Sequence, residues 1–241
     1  MRRFVLVLPF VLLGCSTVPA VPRDAAPVVL SDGLRWMRAS AEYRGIALQT
    51  YGAALTAAER LSAGKPRGSW AVSVDVDETL LANSTFQKEL QESRSPYSEA
   101  AWSAWVKRDE RPAVPGASAF LEGVRRLGGR VAAITNTAGS LCGDVGANLD
   151  ARSLPYDLLL CRPDGAGESK ESRWRGVEAG TAREGVGPLE LLVFVGDNIQ
   201  DFPGKGQELR RGEDGGYAGF GVRYFLLPNP VFGSWTKNPS Y

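Results

Sequence analysis

Apolar and polar positions along this chain alternate with two different periods, and the switches between them mark its elements. From Leu34 to Leu61 the apolar residues recur at helical spacing: Leu34, Trp36, Met37, Tyr43, Ile46, Ala47, Tyr51, Ala54 and Leu55. That spacing predicts one or two amphipathic helices, ended by Gly64 and Pro66. Trp70 to Val74 reads as a short strand that runs straight into an acidic stretch, Asp75-Val76-Asp77-Glu78-Thr79. Residues 80–112 follow as an insertion, helical in part, with Trp102 and Trp105 at i, i+3. Pro115-Gly116 opens a helix to Leu127, and Gly128-Gly129 stops it. A strand from Arg130 to Ile134 carries Thr135-Asn136-Thr137 at its end, and a helix over 139–150 follows. Tyr156 to Leu160 reads as a strand and 169–178 as a helix. Leu189 to Val195 is a continuous apolar run, as expected of a strand buried on both faces, and it ends in Gly196-Asp197-Asn198. A helix and a last strand, Gly221 to Leu227, complete the pattern.

This βαβα alternation predicts an α/β fold: a Rossmann-like parallel sheet flanked by helices. The insertion at about 80–112 and an N-terminal helical extension would be additions to it. Residues 31–241 are expected to form this one domain. In such sheets ligands bind beyond the carboxyl ends of the strands. The three polar clusters, after Val74, Ile134 and Val195, all fall at such ends, which points to a single site.

The first residues follow a different logic. Arg2 and Arg3 precede an apolar run from Phe4 to Leu13, too short to span a bilayer as a helix. The run closes in Leu12-Leu13-Gly14-Cys15, which resembles a bacterial lipobox. Residues 1–14 are therefore expected to be a lipoprotein signal peptide, with Cys15 lipidated and 15–30 a flexible tether. Ser16 after the cysteine leans toward an outer-membrane anchor in the bacterial cell envelope, facing the periplasm or the cell surface. Cys142 and Cys161 remain, either as a disulfide suited to an oxidising compartment or as two separate buried thiols.

Composition removes several chemistries. The formal net charge is +1, which gives no support for a nucleic-acid partner. There are no histidines, so a Ser-His-Asp hydrolase, a phosphohistidine phosphatase and a His-ligated zinc site are excluded. Proton transfer falls to a carboxylate, Lys, Tyr or water.

Asp75 and Asp77, two apart at a strand end, point to the same side and repel each other unless a cation intervenes. Magnesium, with its preference for oxygen ligands, resolves that repulsion. One carboxylate can then attack phosphorus and the other carry the proton. Asp197 ends the second acidic strand as a metal ligand, with Asp201 a further ligand or orienting group. Either pair taken alone would serve equally well as helix N-caps; both at ends of one sheet argue for a site. Thr135, Asn136 and Lys170 are candidate phosphate-binding groups, although a lone lysine is more often a solvated one. Trp102, Trp105 and Tyr224 are candidate substrate contacts, with core packing the competing role and Phe232 a further candidate nearby.

The order DVDET, ITN, Lys170, VGDNIQDF resembles the four motifs of the haloacid dehalogenase superfamily. More closely, WMRASAEYRGIALQTYGAA, AWSAWVKRDERPAVPGA, KESRW and LLPNPVFGSW resemble segments of the class C acid phosphatases, also described as outer-membrane lipoprotein 5′-nucleotidases. The resemblance implies a magnesium-dependent acid phosphatase acting on small phosphomonoesters, with nucleoside 5′-monophosphates or nicotinamide mononucleotide expected. It implies Asp75 as nucleophile and metal ligand, and Asp77 as general acid/base that lends its backbone carbonyl to the metal. Asp197 and Asp201 would complete the metal site, and Thr135 and Lys170 would bind phosphate. Thr137 stands where the family often has Arg, which puts substrate preference in doubt. Two rivals use the same scaffold: a phosphotransferase to an alcohol acceptor, and a non-catalytic surface lipoprotein binding a ligand such as haem. The oligomeric state stays open, a dimer included.

Overall fold

The computed structural model describes residues 28–239. The signal segment 1–14, Cys15 and most of the tether lie outside the described residues. The N-terminal periodic segment forms two helices, α1 (Asp32–Ala39) and α2 (Ala41–Ser62). They break at Ser40, whose backbone is extended and whose hydroxyl accepts the Tyr43 N–H at 3.0 Å, capping α2.

Five strands, β1 (Trp70–Val74), β2 (Arg130–Ala138), β3 (Leu158–Arg162), β4 (Glu190–Gly196) and β5 (Tyr224–Leu226), form one parallel sheet in the order β3-β2-β1-β4-β5. The chain starts at the central β1, winds outward through β2 to β3, then returns to β4 on the other side. This reversal makes a switch point between β1 and β4, the place where such sheets bind ligands. Helices α3 (Ser84–Glu92) and α4 (Glu99–Lys107) form the insertion after β1. α5 (Ala117–Leu127) leads into β2, α6 (Cys142–Ala151) joins β2 to β3, and α7 (Glu171–Ala179) joins β3 to β4. Gly128, at φ 92°, takes the left-handed conformation that ends α5.

Alternate sheet positions feed two cores. On one face Val72, Val74, Val131, Val193 and Val195 pack beneath α2, α5 and α6 through Tyr51, Ala54, Phe120, Val145 and Leu149. On the other, Ala71, Ile134 and Phe194 meet Trp174 and Val177 of α7, with Phe202. Each buried Val or Leu there contributes roughly 1.5–3 kcal/mol relative to exposure.

The elements differ from expectation in three places. β2 runs on to Ala138, so Thr135-Asn136-Thr137 lie within the strand rather than beyond it; a register shift against β3 between Thr135 and Ala138 accommodates them. The helix expected after β4 is replaced by short 3-10 turns at Ile199–Asp201, Gln207–Arg211 and Asp214–Tyr217. Pro203 and glycines at 204, 206, 212, 215 and 216 deny that segment a continuous helix. β5 is shorter than the predicted Gly221–Leu227 run, starting only after the turn at Gly221. Cys142 and Cys161, left open by the sequence, form a disulfide with Cα atoms 5.8 Å apart, fastening the start of α6 to β3.

Candidate active site

β1 delivers Asp75 at its carboxyl end, where the Asp75 N–H still donates to the Val195 carbonyl at 2.9 Å. The chain then turns sharply. The Val76 carbonyl accepts the N–H groups of Thr79, Leu80 and Leu81 at 3.3, 2.8 and 2.9 Å. Glu78 takes a left-handed φ of 55°, rare for a side chain of its size. Its Oε1 accepts the Asn83 N–H at 2.5 Å, while burial pushes its carboxyl up to about 8. From beneath, the Tyr51 hydroxyl of α2 donates to the Thr79 carbonyl, so the N-terminal extension braces the acidic turn.

β4 delivers Asp197 beside it. Asp197 Oδ2 accepts the Asn229 side-chain N–H at 2.7 Å, and Oδ1 accepts the Thr79 hydroxyl at 3.4 Å. Asp201 closes the first 3-10 turn, its Oδ2 accepting the Asn198 N–H at 2.9 Å in a capping box. Gly196 makes room for this: a Cβ there would stand 2.3 Å from Asp201 Oδ2. Lys170, buried at the entry to α7, spans the two strands, with Nζ on Asp75 Oδ1 and 2.7 Å from Asp201 Oδ1.

Asp75, Asp197 and Asp201 each present an oxygen within 4.8 Å of the others. Burial pushes Asp75 up to about 7, with Asp201 and Asp77 adding to the rise and Lys170 opposing it. Burial, with Asp75 and Asp201 close by, pushes Asp197 well above the carboxylate range. One lysine does not neutralise three converging carboxylates. An all-oxygen donor set of this charge fits a hard divalent cation such as magnesium, which would favour the ionised form of Asp75 and Asp197.

The Asp77 carboxylate stands apart from that group, so its expected place at a metal rests on its backbone carbonyl. Its Oδ1 accepts Arg111 Nη1 at 2.9 Å and Asn83 Nδ2 at 3.3 Å. Its Oδ2 accepts the hydroxyls of Thr135 and Thr137, both at 2.9 Å. Two carboxylates two residues apart thus meet different surroundings: Asp75 faces acids, one lysine and the Thr79 hydroxyl at 3.5 Å, while the hydrogen-bond partners of Asp77 are all donors.

A cavity of about 500 Å³ opens over these groups. Asp75, Asp77, Asn136, Lys170, Asp197, Asp201, Trp102 and Phe232 line it. Three candidates sit elsewhere. Thr135 is fully buried behind Asp77, its hydroxyl spent on that carboxylate. Trp105 is buried against Phe86, ring centroids 6.0 Å apart, and its indole N–H donates to Asn83 Oδ1 at 2.9 Å. Tyr224 packs among Phe194, Phe202 and Phe220 on the sheet, away from the cavity. The Asn136 side chain lines the cavity but is tied to the Glu168 carbonyl at 2.7 Å and to Arg173. Four contributors went unnoticed in the sequence: Asn83, Arg111, Arg162 and Asn229. Arg111 ends a charged run, Lys107-Arg108-Asp109-Glu110-Arg111, that reads as solvated surface. Asn229 lies inside the Leu226–Trp235 signature, and Arg111 inside the 101–117 stretch, but neither stretch says which of its polar side chains turns toward the site.

Residues 16–235 match the family model for the HAD superfamily, subfamily IIIB (acid phosphatase). The fold is similar to that of the class C acid phosphatase from Bacillus anthracis, at 24% identity over 84% of each chain with a TM-score of 0.74. The structure of that enzyme with tungstate bound matches with the same values. At that identity the likeness shows the fold.

Proposed function

The chain belongs to HAD superfamily subfamily IIIB, the acid phosphatases, and is a phosphomonoester hydrolase; on that premise we propose that Asp75 is its nucleophile, Asp77 its proton carrier and magnesium its cofactor. The observation that carries this reading is the contrast between the two carboxylates. Asp75 stands in the acidic group with Lys170, where a cation and a phosphoryl group would meet. Asp77 stands just outside it, held by four donors.

In the first half-reaction an Asp75 oxygen attacks phosphorus as the bond from phosphorus to the ester oxygen breaks, leaving an aspartyl phosphate. Asp77 gives its proton to the departing oxygen. In the second half, water attacks the same phosphorus and passes a proton to Asp77, and the bond between Asp75 and phosphorus breaks. Lys170 aligns Asp75 and offsets phosphate charge. Asp75, Asp197, Asp201 and the Asp77 carbonyl would hold magnesium, which would supply positive charge to the phosphoryl oxygens.

The proposed substrates are nucleoside 5′-monophosphates or nicotinamide mononucleotide. A cavity of about 500 Å³ is in the range of small-ligand sites. Trp102 and Phe232 on its wall offer faces on which a planar base can stack.

The test is a phosphomonoester panel with and without metal. Asp75→Asn is expected to lose at least ~10⁴-fold in turnover while melting at the same temperature. Excess chelator should abolish wild-type activity and magnesium restore it. Full activity in excess chelator sinks the metal-dependent reading.

A further inference from the structure

Arg111 lies where the insertion returns to the sheet, and it is 0% exposed. Nη1 donates to Asp77 Oδ1 at 2.9 Å and Nε to Asn148 Oδ1 at 3.2 Å. Nη2 has no partner among the described residues. Its backbone is held as firmly. Arg152 Nε donates to the Arg111 carbonyl at 2.9 Å, and Arg152 Nη2 to the Asp109 carbonyl at 2.7 Å. Asn148 is itself fixed, donating to the Val106 and Asp144 carbonyls at 3.0 and 2.8 Å. Asn148 belongs to α6 and Arg152 caps its end, and the disulfide fastens that helix to β3.

Stability does not account for this arrangement. A buried ion pair is commonly no more stable than well-packed apolar side chains of the same volume, and an unpaired buried N–H adds cost. What the pair does supply is direction. A guanidinium stays charged and only donates, so an oxygen it holds has no use for a proton. The other oxygen, Oδ2, faces two hydroxyls. A hydroxyl rotates and either donates or accepts, so it tolerates Oδ2 with or without a proton.

We propose that Arg111 is a positioning residue for the phosphatase reaction: it fixes Oδ1 of Asp77 and thereby assigns the travelling proton to Oδ2, beside Thr135 and Thr137. The inference rests on the reading of Asp77 as the proton carrier. The proton leaves Oδ2 for the ester oxygen as that oxygen parts from phosphorus. It is replaced from the water that later attacks the aspartyl phosphate. Arg111 exchanges nothing; it keeps the carboxyl from turning between the two events.

The test is kcat/KM for two esters whose leaving groups differ: p-nitrophenyl phosphate, whose phenolate departs without a proton, and glycerol phosphate, whose alkoxide needs one. Asp77→Asn calibrates the scale and should lose ~10²–10⁴-fold on glycerol phosphate and far less on p-nitrophenyl phosphate. Arg111→Met should show the same selectivity in kcat/KM in smaller measure, ~10–10²-fold on glycerol phosphate. Arg111→Lys keeps the charge without the fork to Asn148, and its ratio between the esters should fall between wild type and Asp77→Asn. If Arg111→Met fails to fold, the lysine variant carries the test. Equal losses on both esters in the Arg111 variants, with Asp77→Asn selective, overturn the role of Arg111 alone. Equal losses in Asp77→Asn overturn the proton-carrier reading beneath it.

Discussion

Trp102 and Trp105 sit one helical turn apart on α4 and meet different fates. Trp105 is sealed against Phe86 and Asn83, while Trp102 packs edge-on to Phe86 and shows its other side to the cavity. Sequence spacing put both on one helix but not at one wall, because packing against Phe86 decides which indole is left facing substrate. Trp102→Ala should therefore raise KM for a nucleoside 5′-monophosphate by ~5–150-fold, from the 1–3 kcal/mol of a base stacked on an aromatic side chain. KM for glycerol phosphate, which has no base, should move little; an equal rise for both would remove Trp102 from substrate binding. The acidic residues were legible for a simple reason: a strand end fixes the direction of the side chains it delivers. Arg111 was not, because a charged run gives no sign that its last member turns inward. The Thr137 hydroxyl joins that of Thr135 on Asp77.

At the level of elements, the long periodic segments were legible and the glycine-rich one was not. α5, β1 and β4 follow their apolar periods closely, and α2 does so except at Ile46, which is exposed. Between β4 and β5 the glycines permit several backbones, and contacts distant in sequence choose among them. Ser234, hydrogen-bonded to Asn198 at 2.7 Å and to Gln207 at 2.8 Å, ties the C-terminal segment to those 3-10 turns. The disulfide joins elements 19 residues apart, and closing a loop of that size contributes about 3 kcal/mol in the chain-entropy account. The paired replacement Cys142→Ser with Cys161→Ser should lower the urea midpoint accordingly and leave Asp75, Asp197 and Asp201 in place. An unchanged midpoint under oxidising conditions would show that the bridge contributes nothing to stability.

Across the whole molecule, the site is a store of unfavourable charge that the fold holds ready for a cation. Burial raises Asp75 from 3.8 to about 7 and Glu78 from 4.5 to about 8, and Asp197 rises as well. An acid whose folded value lies above its unfolded value binds more protons when folded. Without metal, these groups therefore make stability fall as pH rises from about 4 to about 8, opposite to an ordinary salt-bridged carboxylate. The metal-free protein should melt roughly 3 °C lower or more at pH 8 than at pH 5. Magnesium should remove most of that drop, leaving the share of Glu78, which stands outside the cation's donor set. A melting temperature that rises over this interval without metal would contradict the charge balance described for the site. The parallel sheet and a site at its strand ends followed from the βαβα alternation and the three strand-end clusters; the strand order, and with it the switch point between β1 and β4, is set by contacts distant in sequence.

If Asp75 is the nucleophile it becomes covalently phosphorylated, and that species can be trapped. In Asp77→Asn, p-nitrophenyl phosphate should still phosphorylate Asp75, because its leaving group needs no proton, while water activation is lost and the intermediate accumulates. Acid quench, borohydride reduction and peptide mass spectrometry should then find homoserine at position 75, approaching one per protein chain. A phosphoryl group on any other residue, or nitrophenol release with no covalent species at any time point, would contradict the account.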